Sequence, residues 1–177
     1  MVLDVESKRV LALKGLITDV DGVLNNAKVF LSEQGEVKGF HIRDGFAIKA
    51  ALHLGFQVAI LSGRSSKIVE MRAQELGIQH VYTGRLDKQQ AFGELLAKMN
   101  LNAHEVAYVG DDIPDLAPLS LCGLSFCPHN AAPEILARSE IHVPVLGGEG
   151  VIRWVLQKIL EAQGRWSEVL ARFEVQS

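Results

Sequence analysis

The feature that most limits the possible folds is an alternation of short apolar runs with amphipathic segments along almost the whole chain. The apolar runs are bounded by Gly, Pro, Asn or Asp, which is typical of strands buried on both faces of a parallel sheet. They lie at 16–18, 58–61, 80–82, 106–109, 124–126 and 141–143. The intervening segments predict helices at 44–54, 65–76, 88–100, 114–119, 132–137 and 150–163. This order predicts a doubly wound α/β fold with a mostly parallel sheet.

One segment interrupts the alternation. Residues 28–40 have two short extended arms around the polar sequence SEQGE, which predicts a β-hairpin. We define the hairpin flap as residues 25–43. The chain has 177 residues, 48% of them hydrophobic, and this suits a single domain over 1–177.

The C-terminal tail, about residues 164–177, is predicted to be helical, with Trp166, Leu170 and Phe173 on one side. The sequence does not decide whether the tail packs on this subunit, packs on a neighbouring subunit, or is loose.

Composition argues against several classes of partner. A net charge of −3 lacks the basic excess expected for binding nucleic acid or an anionic membrane. No apolar run approaches the roughly 20 residues that span a bilayer, and the N-terminus does not resemble a signal peptide. Cys122 and Cys127 lie in an apolar stretch and are interpreted as core thiols rather than a disulfide or a metal pair. These features predict a cytoplasmic protein without membrane insertion.

Polar groups cluster where the predicted strands end. In an open parallel sheet, ligands bind at the carboxyl ends of the strands. A single D-x-D can be an ordinary turn or helix cap. Four groups of polar residues at strand ends or helix starts in one chain favour a binding site. They are Asp19 and Asp21, then Ser62, Gly63 and Arg64, then Asp87 and Lys88, then Asp111 and Asp112.

These residue types suit metal-assisted phosphoryl transfer. Crowded carboxylates need a hard cation, and Asp19 and Asp111 are the candidate ligands for Mg²⁺. One carboxylate could attack phosphorus while Asp21 acts as general acid and base. Ser62 could hold phosphate oxygens at a helix N-terminus. Lys88 is either a surface lysine paired with Asp87 or a cation that offsets the carboxylates and binds phosphate.

The four motifs DVDGV, SGR, a lysine and GDDIPD resemble, in order and spacing, those of the haloacid dehalogenase (HAD) superfamily. The resemblance implies that Asp19 is the nucleophile, that Asp21 is the general acid and base, and that Ser62 and Lys88 are phosphate ligands. It also implies Mg²⁺ held by Asp19, Asp111 and the backbone carbonyl of Asp21. Asp112 and Asp115 would support the metal ligands, although Asp115 could equally be a helix N-terminal acid.

Residues 13–163 resemble the 3-deoxy-D-manno-octulosonate 8-phosphate (KDO 8-phosphate) phosphatase family within that superfamily. The resemblance rests on the first motif, on GFHIRDG, YTGRLDK and VAYVGDDIPDLAPL, and on GGEGVIRWVLQKIL. It implies a Mg²⁺-dependent phosphatase of a sugar acid in lipopolysaccharide precursor synthesis, usually a homotetramer. The chain departs from the family at CPHNAA and at Trp154, which weakens the assignment of the substrate more than that of the reaction.

The insertions after Asp21 and after Lys88 are too short for a cap domain over the site. Phosphoryl transfer benefits from excluding water, so either the substrate or a neighbouring subunit must cover the cleft. The apolar hairpin arms favour the second, because exposed strand edges tend to pair. We therefore expect a homotetramer in which the flap contributes to a neighbouring active site.

Substrate selectivity is assigned to basic residues near the predicted phosphate loop. Arg64 is the first candidate for an acidic group of the substrate, together with Gly63 of the loop. Arg43 and Lys67 are weaker candidates. His41 is interpreted as a surface residue that could reach the site, and Arg72 as a residue on the solvent face of its helix.

Other functions fit the residues less well. A receiver domain would carry its acceptor aspartate after a middle strand, whereas here the D-x-D comes first. A catalytically silent scaffold is disfavoured because no motif residue is missing. The stronger alternatives are a capless phosphatase acting on another sugar phosphate or on a phosphoprotein.

Overall fold

The structure is a computed structural model and describes residues 8–33 and 35–174. The elements in chain order are α1 (Lys8–Ala12), β1 (Gly15–Thr18), β2 (Phe30–Ser32), β3 (Gly35–Val37), α2 (Ile42–His53), β4 (Gln57–Leu61), α3 (Lys67–Leu76), β5 (His80–Tyr82), α4 (Lys88–Met99), β6 (Val106–Val109), α5 (Leu116–Leu121), β7 (Leu124–Pro128), α6 (Pro133–Leu136), β8 (Ile141–Val143), α7 (Val151–Ala162) and α8 (Trp166–Ala171).

The central sheet has six parallel strands in the order β5-β4-β1-β6-β7-β8. Every residue of β1 and β6 is buried, which explains why these strands appear in the sequence as continuous apolar runs. The chain moves from β1 to one edge through β4 and β5, then returns to build the other half from β6. The predicted doubly wound α/β fold is confirmed.

Helices cover both faces of this sheet and divide the core into two layers. Along β1, Leu16 faces the layer formed with α2, α3 and α7, whereas Ile17 faces the layer formed with α4, α5 and α6. The alternation follows from the two-residue period of a strand. Both layers therefore pack on β1, the strand that is followed directly by Asp19.

Local signals set the helix boundaries near the cleft. Ser66 accepts a hydrogen bond from the Val69 N–H (3.4 Å) at the start of α3, so this helix begins two residues later than expected. Gly77 ends α3 in the left-handed conformation with φ 82°, as a glycine stop predicts. The helix predicted at 114–119 is a 3₁₀ turn, Ile113–Asp115, followed by α5.

The predicted hairpin is present as β2 and β3, which pair antiparallel with Phe30 opposite Val37 and Leu31 opposite Glu36. Residues opposite each other share a face of a hairpin. Phe30, Leu31 and Val37 are 64%, 81% and 58% exposed, so these three apolar residues of the hairpin are uncovered in a single chain.

Both ends of the described chain are helical. The tail is helical as predicted, but only Trp166 is buried, while Leu170 and Phe173 are 47% and 72% exposed. Phe173 packs against Phe46 of α2, with 5.5 Å between the ring centres, so the described part of the tail packs on its own subunit. Helix α1 was not predicted, because five residues are too few to show a helical period. No helix in the described ranges is long and apolar enough to cross a membrane.

Candidate active site

Three strand ends and the start of α4 meet in one cleft of about 330 Å³. Asp19 follows β1, Ser62 follows β4 and Asp111 follows shortly after β6. Because neighbouring parallel strands end at the same edge of the sheet, these residues come together although they are far apart in sequence. The cleft is lined by Asp19, Asp21, Ala27, Ser62, Gly63, Arg64, Leu86, Lys88, Asp111, Asp112, Pro114 and Asp115.

Lys88 connects two carboxylates at the floor of this cleft. Its Nζ lies 2.8 Å from Asp19 Oδ1 and 2.7 Å from Asp115 Oδ1, and its side chain is 3% exposed. Burial lowers the pKa of Lys88, but the carboxylates of Asp19 and Asp115 outweigh burial and raise it. The interpretation as a surface lysine paired with Asp87 is therefore wrong. Asp87 instead caps α4 by accepting a hydrogen bond from the Gln90 N–H (3.1 Å).

Asp115 is a fully buried acceptor that organises the loop after β6. Its Oδ1 accepts hydrogen bonds from Lys88 and from the Tyr108 hydroxyl (2.6 Å). Its Oδ2 accepts from the backbone N–H groups of Asp111 (3.0 Å) and Asp112 (3.2 Å). Asp115 thus holds both Lys88 and the Asp111 backbone in place.

The acidic residues of the cleft fit a hard divalent cation. One oxygen each from Asp19, Asp111 and Asp115 lies within 4.8 Å of the others. Asp111 Oδ1 is buried and has no hydrogen-bond partner among the described residues. A Cβ at Gly22 would lie 1.9 Å from Asp111 Oδ2, so the close approach of Asp111 to the first motif requires glycine there. Carboxylate oxygens at this spacing are the ligands that Mg²⁺ prefers.

Burial and mutual repulsion raise the pKa values of two of these acids. Burial, followed by the charge of Asp115, raises the pKa of Asp19 to about 6. Burial, followed by the charges of Asp19 and Asp115, raises the pKa of Asp111 to about 8. A cation among these oxygens would favour the ionised forms.

Asp21 has the opposite environment, although it is only two residues from Asp19. Its Oδ1 accepts hydrogen bonds from Asn25 Nδ2 (2.7 Å) and Lys38 Nζ (2.7 Å), and its Oδ2 lies 2.9 Å from Lys38 Nζ. Burial alone would raise the pKa of Asp21, but the hydrogen bonds from Asn25 and Lys38 outweigh it and lower the pKa. Because this carboxylate is held by Asn25 and Lys38, any contribution of Asp21 to a metal would come from its backbone carbonyl.

The phosphate-loop candidates line the same cleft. Ser62 is 2% exposed, and its Oγ accepts a hydrogen bond from the Arg64 N–H (3.3 Å), so its own O–H can donate to an anion. The Arg64 guanidinium is half exposed at the rim, 4.0 Å from Asp21 Oδ2 and 3.5 Å from Glu36 Oε2. Glu36 also accepts a hydrogen bond from the Ser66 hydroxyl, which joins the flap to the start of α3.

Other basic candidates lie outside the cleft of a single chain. Arg43 and Lys67 are exposed and do not line it. His41 does not line it either; its Nδ1 is buried without a partner among the described residues. Arg72 does not lie on the solvent face of its helix as expected. Its side chain is 15% exposed and packs 5.9 Å from the centre of the Phe40 ring.

Sequence reasoning missed Asn25, Glu36 and Lys38. The signal for Glu36 and Lys38 was their two-residue spacing on one arm of the hairpin, which places both side chains on the same face. Asn25 lies only four residues after Asp21, within reach of a local turn. Both cysteines are free thiols, as expected, and burial raises the pKa of Cys122 to about 12.

Comparison with known proteins agrees with this geometry. Residues 27–123 match the model of the haloacid dehalogenase-like hydrolase family. The chain is 41% identical to the 3-deoxy-D-manno-octulosonate 8-phosphate phosphatase of Escherichia coli strain K12, over 86% of this chain and 82% of that protein.

Two solved structures show the same fold. The phosphatase of that name from Moraxella catarrhalis, solved in complex with magnesium, phosphate and KDO, has a TM-score of 0.90 at 34% identity, covering 94% of this chain and 96% of that one. The cobalt-bound deoxy-D-mannose-octulosonate 8-phosphate phosphatase of Haemophilus influenzae has a TM-score of 0.90 at 35% identity, covering 94% and 100%. The present chain therefore belongs to the haloacid dehalogenase-like hydrolase family, as a phosphoric monoester hydrolase.

Proposed function

We propose that this enzyme hydrolyses KDO 8-phosphate to KDO and inorganic phosphate, with Mg²⁺ as its cofactor. The observation that carries the proposal is the meeting of Asp19, Ser62, Lys88 and Asp111 in one cleft of a chain that is 41% identical to a phosphatase of this substrate. The same site would also serve a related sugar phosphate, so the geometry supports the reaction more strongly than it supports this particular sugar.

Asp19 and Asp111 would hold the metal through their side chains, together with the backbone carbonyl of Asp21. The unpartnered Oδ1 of Asp111 supports this ligand set. When bound, Mg²⁺ offsets the charge of the carboxylates and of the phosphate, and polarises the phosphoryl group. Asp115 would act on the site through Lys88 and through the Asp111 backbone.

In the first step, an oxygen of Asp19 attacks phosphorus and forms an aspartyl-phosphate. The bond between phosphorus and the sugar oxygen breaks, and Asp21 gives a proton to that leaving oxygen. Asp21 is ionised in the free enzyme, so it would take up this proton when the negative charge of the bound phosphate raises its pKa. Ser62 and Lys88 bind the phosphoryl oxygens. Lys88 suits this role because its Nζ already lies 2.8 Å from the attacking carboxylate, where negative charge accumulates.

In the second step, the Asp21 carboxylate takes a proton from a water molecule, which attacks phosphorus. The bond between phosphorus and Asp19 breaks, so that inorganic phosphate leaves and Asp19 is restored. The cationic surroundings that lower the pKa of Asp21 favour its ionised form, which this step needs.

Arg64 is the residue that we assign to the acidic group of the sugar. Its guanidinium is half exposed at the rim of the cleft, beside Ser62 and Gly63 of the phosphate loop. A guanidinium binds a carboxylate through two parallel hydrogen bonds, which fixes its orientation. Arg43 and Lys67 would act on substrate only if another subunit brought them to a cleft.

We also propose that the enzyme is a homotetramer in which the flap contributes to a neighbouring active site. The exposed Phe30 and Val37, paired on one face of the hairpin, supply an apolar surface for such an assembly. Sedimentation of the wild type should give a tetramer, and Phe30→Glu should dissociate it with loss of turnover. A fully active monomer would contradict this arrangement.

The substrate is tested with a panel of phosphorylated sugars and sugar acids. We expect the highest kcat/KM for KDO 8-phosphate, and we expect Arg64→Ala to raise KM for this acid more than for neutral sugar phosphates. A neutral sugar phosphate preferred by the wild type would overturn the assignment. That result would also contradict the proposal that the enzyme acts in cytoplasmic lipopolysaccharide precursor synthesis.

A phosphopeptide belongs in the same panel. Residues 8–33 and 35–174 form no cap domain over the cleft, so a macromolecular substrate could reach it. Turnover of a phosphopeptide faster than of every small phosphate would replace the sugar by a protein substrate while leaving the chemistry of Asp19 and Asp21 unchanged.

A further inference from the structure

The second arm of the flap carries a lysine that is buried against the first motif. The Lys38 side chain is 0% exposed, although it belongs to a hairpin whose neighbouring residue Val37 is 58% exposed. Burying an ammonium group is costly unless it is paired and hydrogen-bonded. Its location therefore needs a specific partner.

That partner is the carboxylate of Asp21. Lys38 Nζ lies 2.7 Å from Oδ1 and 2.9 Å from Oδ2, so one ammonium contacts both oxygens. Asn25 Nδ2 donates to Oδ1 at 2.7 Å, and Asn25 Oδ1 in turn accepts hydrogen bonds from the N–H groups of Gly22 (3.3 Å) and Ala27 (2.8 Å). The Asp21 carboxylate is thus fixed at two points, one on the turn after β1 and one on the flap.

We propose that Lys38 is a positioning residue, which holds Asp21 at the angle needed for proton transfer only while the flap is seated on the cleft. The inference rests on the proposed role of Asp21 as general acid and base. Glu36, two residues earlier on the same face, adds a second link through Ser66 and Arg64. Docking of the flap on the cleft would then also orient the Asp21 carboxylate.

Direct binding of substrate by Lys38 is a poorer explanation. Lys38 does not line the cleft, whereas Asp21 does. Its ammonium group faces both oxygens of Asp21, and its side chain has no exposed surface from which to reach a ligand. Lys38 therefore acts on the reaction through Asp21.

The link itself is tested without measuring activity. Lys38→Met, Asp21→Asn and the double variant form a thermodynamic cycle in melting temperature, measured on the metal-free protein. We expect each single variant to lower the melting temperature and the double variant to lose clearly less than the sum of the two. Additive losses would overturn the proposed coupling, whatever the substrate proves to be.

The role in proton transfer is tested by changing the leaving group. A sugar phosphate releases an alkoxide that needs a proton, whereas p-nitrophenyl phosphate releases a stabilised phenolate that does not. We expect Lys38→Met to lower kcat/KM for the sugar phosphate by roughly 100-fold, in the range of general acid–base effects, and that for the aryl phosphate by less than about 10-fold. Equal losses on both substrates would overturn the proposal.

Two controls complete the design. Lys49→Met changes an exposed lysine of α2, outside the flap and the cleft, and should leave the turnover of both substrates unaffected. Lys38→Arg keeps the cation and should recover most of the loss on the sugar phosphate, and failure to recover any would argue against positioning. Any alkyl phosphate that the wild type hydrolyses can serve, so a wrong assignment of the sugar is seen in the wild type alone and does not affect the comparison.

Discussion

The two sides of the cleft differ in how their charges are balanced. On the acidic side, Asp19, Asp111 and Asp115 lie close together, and the buried Lys88 contacts only Asp19 and Asp115 among them. On the flap side, Asp21 pairs with Lys38 at 2.7 Å, and Glu36 pairs with Arg64 at 3.5 Å.

The difference shows which parts of the site the chain completes by itself. The acidic side has an excess of negative charge and a buried carboxylate oxygen without a partner among the described residues, so it is complete only with a cation. The flap side is balanced by its own residues and depends on the position of the hairpin. We therefore expect substitutions on the acidic side to change how strongly Mg²⁺ stabilises the protein. Substitutions on the flap side should leave this stabilisation unchanged.

The largest effect is expected from Asp19→Asn. The amide cannot accept the phosphoryl group, so turnover should fall by more than about 1,000-fold, as for other essential nucleophiles. Circular dichroism should show an unchanged fold, because Lys88 keeps its contact with Asp115 at 2.7 Å. Retention of more than about a hundredth of the wild-type activity would contradict covalent catalysis at Asp19.

Lys88→Met should give the next largest effect, on stability. It leaves Asp19 and Asp115 buried without their cation, which typically costs about 3–5 kcal/mol in the free energy of unfolding. Lys67→Met is the matched control, because Lys67 is also the first residue of a helix but is exposed. Magnesium should recover part of the loss in Lys88→Met. A loss no greater than that of the control would show that the acidic side does not depend on Lys88.

Removal of metal distinguishes the two sides directly. EDTA should abolish turnover, and Mg²⁺ at 100 times its dissociation constant should stabilise the wild type by about 2.7 kcal/mol. Asp111→Asn should lose most of this stabilisation, whereas Lys38→Met should retain it. Full activity in EDTA would show that catalysis does not need the metal.

The smallest expected effect is a change in the pH dependence of stability. The folded pKa values of Asp19 and Asp111 are raised to about 6 and about 8, so the stability linked to their protonation is lost as pH rises through those values. The melting temperature of the metal-free protein should therefore fall between pH 6 and pH 8. The lowered pKa of Asp21 adds no slope in this window, because Asp21 is ionised throughout.

Saturating Mg²⁺ should flatten this dependence, because the ligands are then ionised in the folded protein over the whole range. A metal-free melting temperature that rises from pH 6 to pH 8 would show that the acidic side is not crowded as described.

The sequence predicted the acidic side far better than the flap side. Asp19, Ser62, Lys88 and Asp111 each follow an apolar strand or begin a helix, and strand order alone brings such positions to one edge. The sequence leaves the role of Asp115 open, because a helix N-terminal acid and a buried acceptor look alike in sequence. The structure has features of both, since Asp115 ends a 3₁₀ turn and is fully buried.

The flap side could not be predicted because its contacts depend on how the hairpin folds back. Lys38 is one of several polar residues in the arms of the hairpin, and only the tertiary position of β3 shows that it is buried against Asp21. Arg72 was misassigned for the same reason, since the flap residue Phe40 covers it. Hairpin register follows from local pattern, but the docking of a hairpin does not.

Transfer of the phosphoryl group to Asp19 can be measured most directly by trapping the enzyme during turnover. Borohydride reduces an aspartyl-phosphate to homoserine, which peptide mass spectrometry locates in the sequence. We predict that the modified residue is Asp19, that it appears only with Mg²⁺ and substrate, and that it is absent from Asp19→Asn. Modification of a different residue, or continued turnover with no modified residue, would contradict the account.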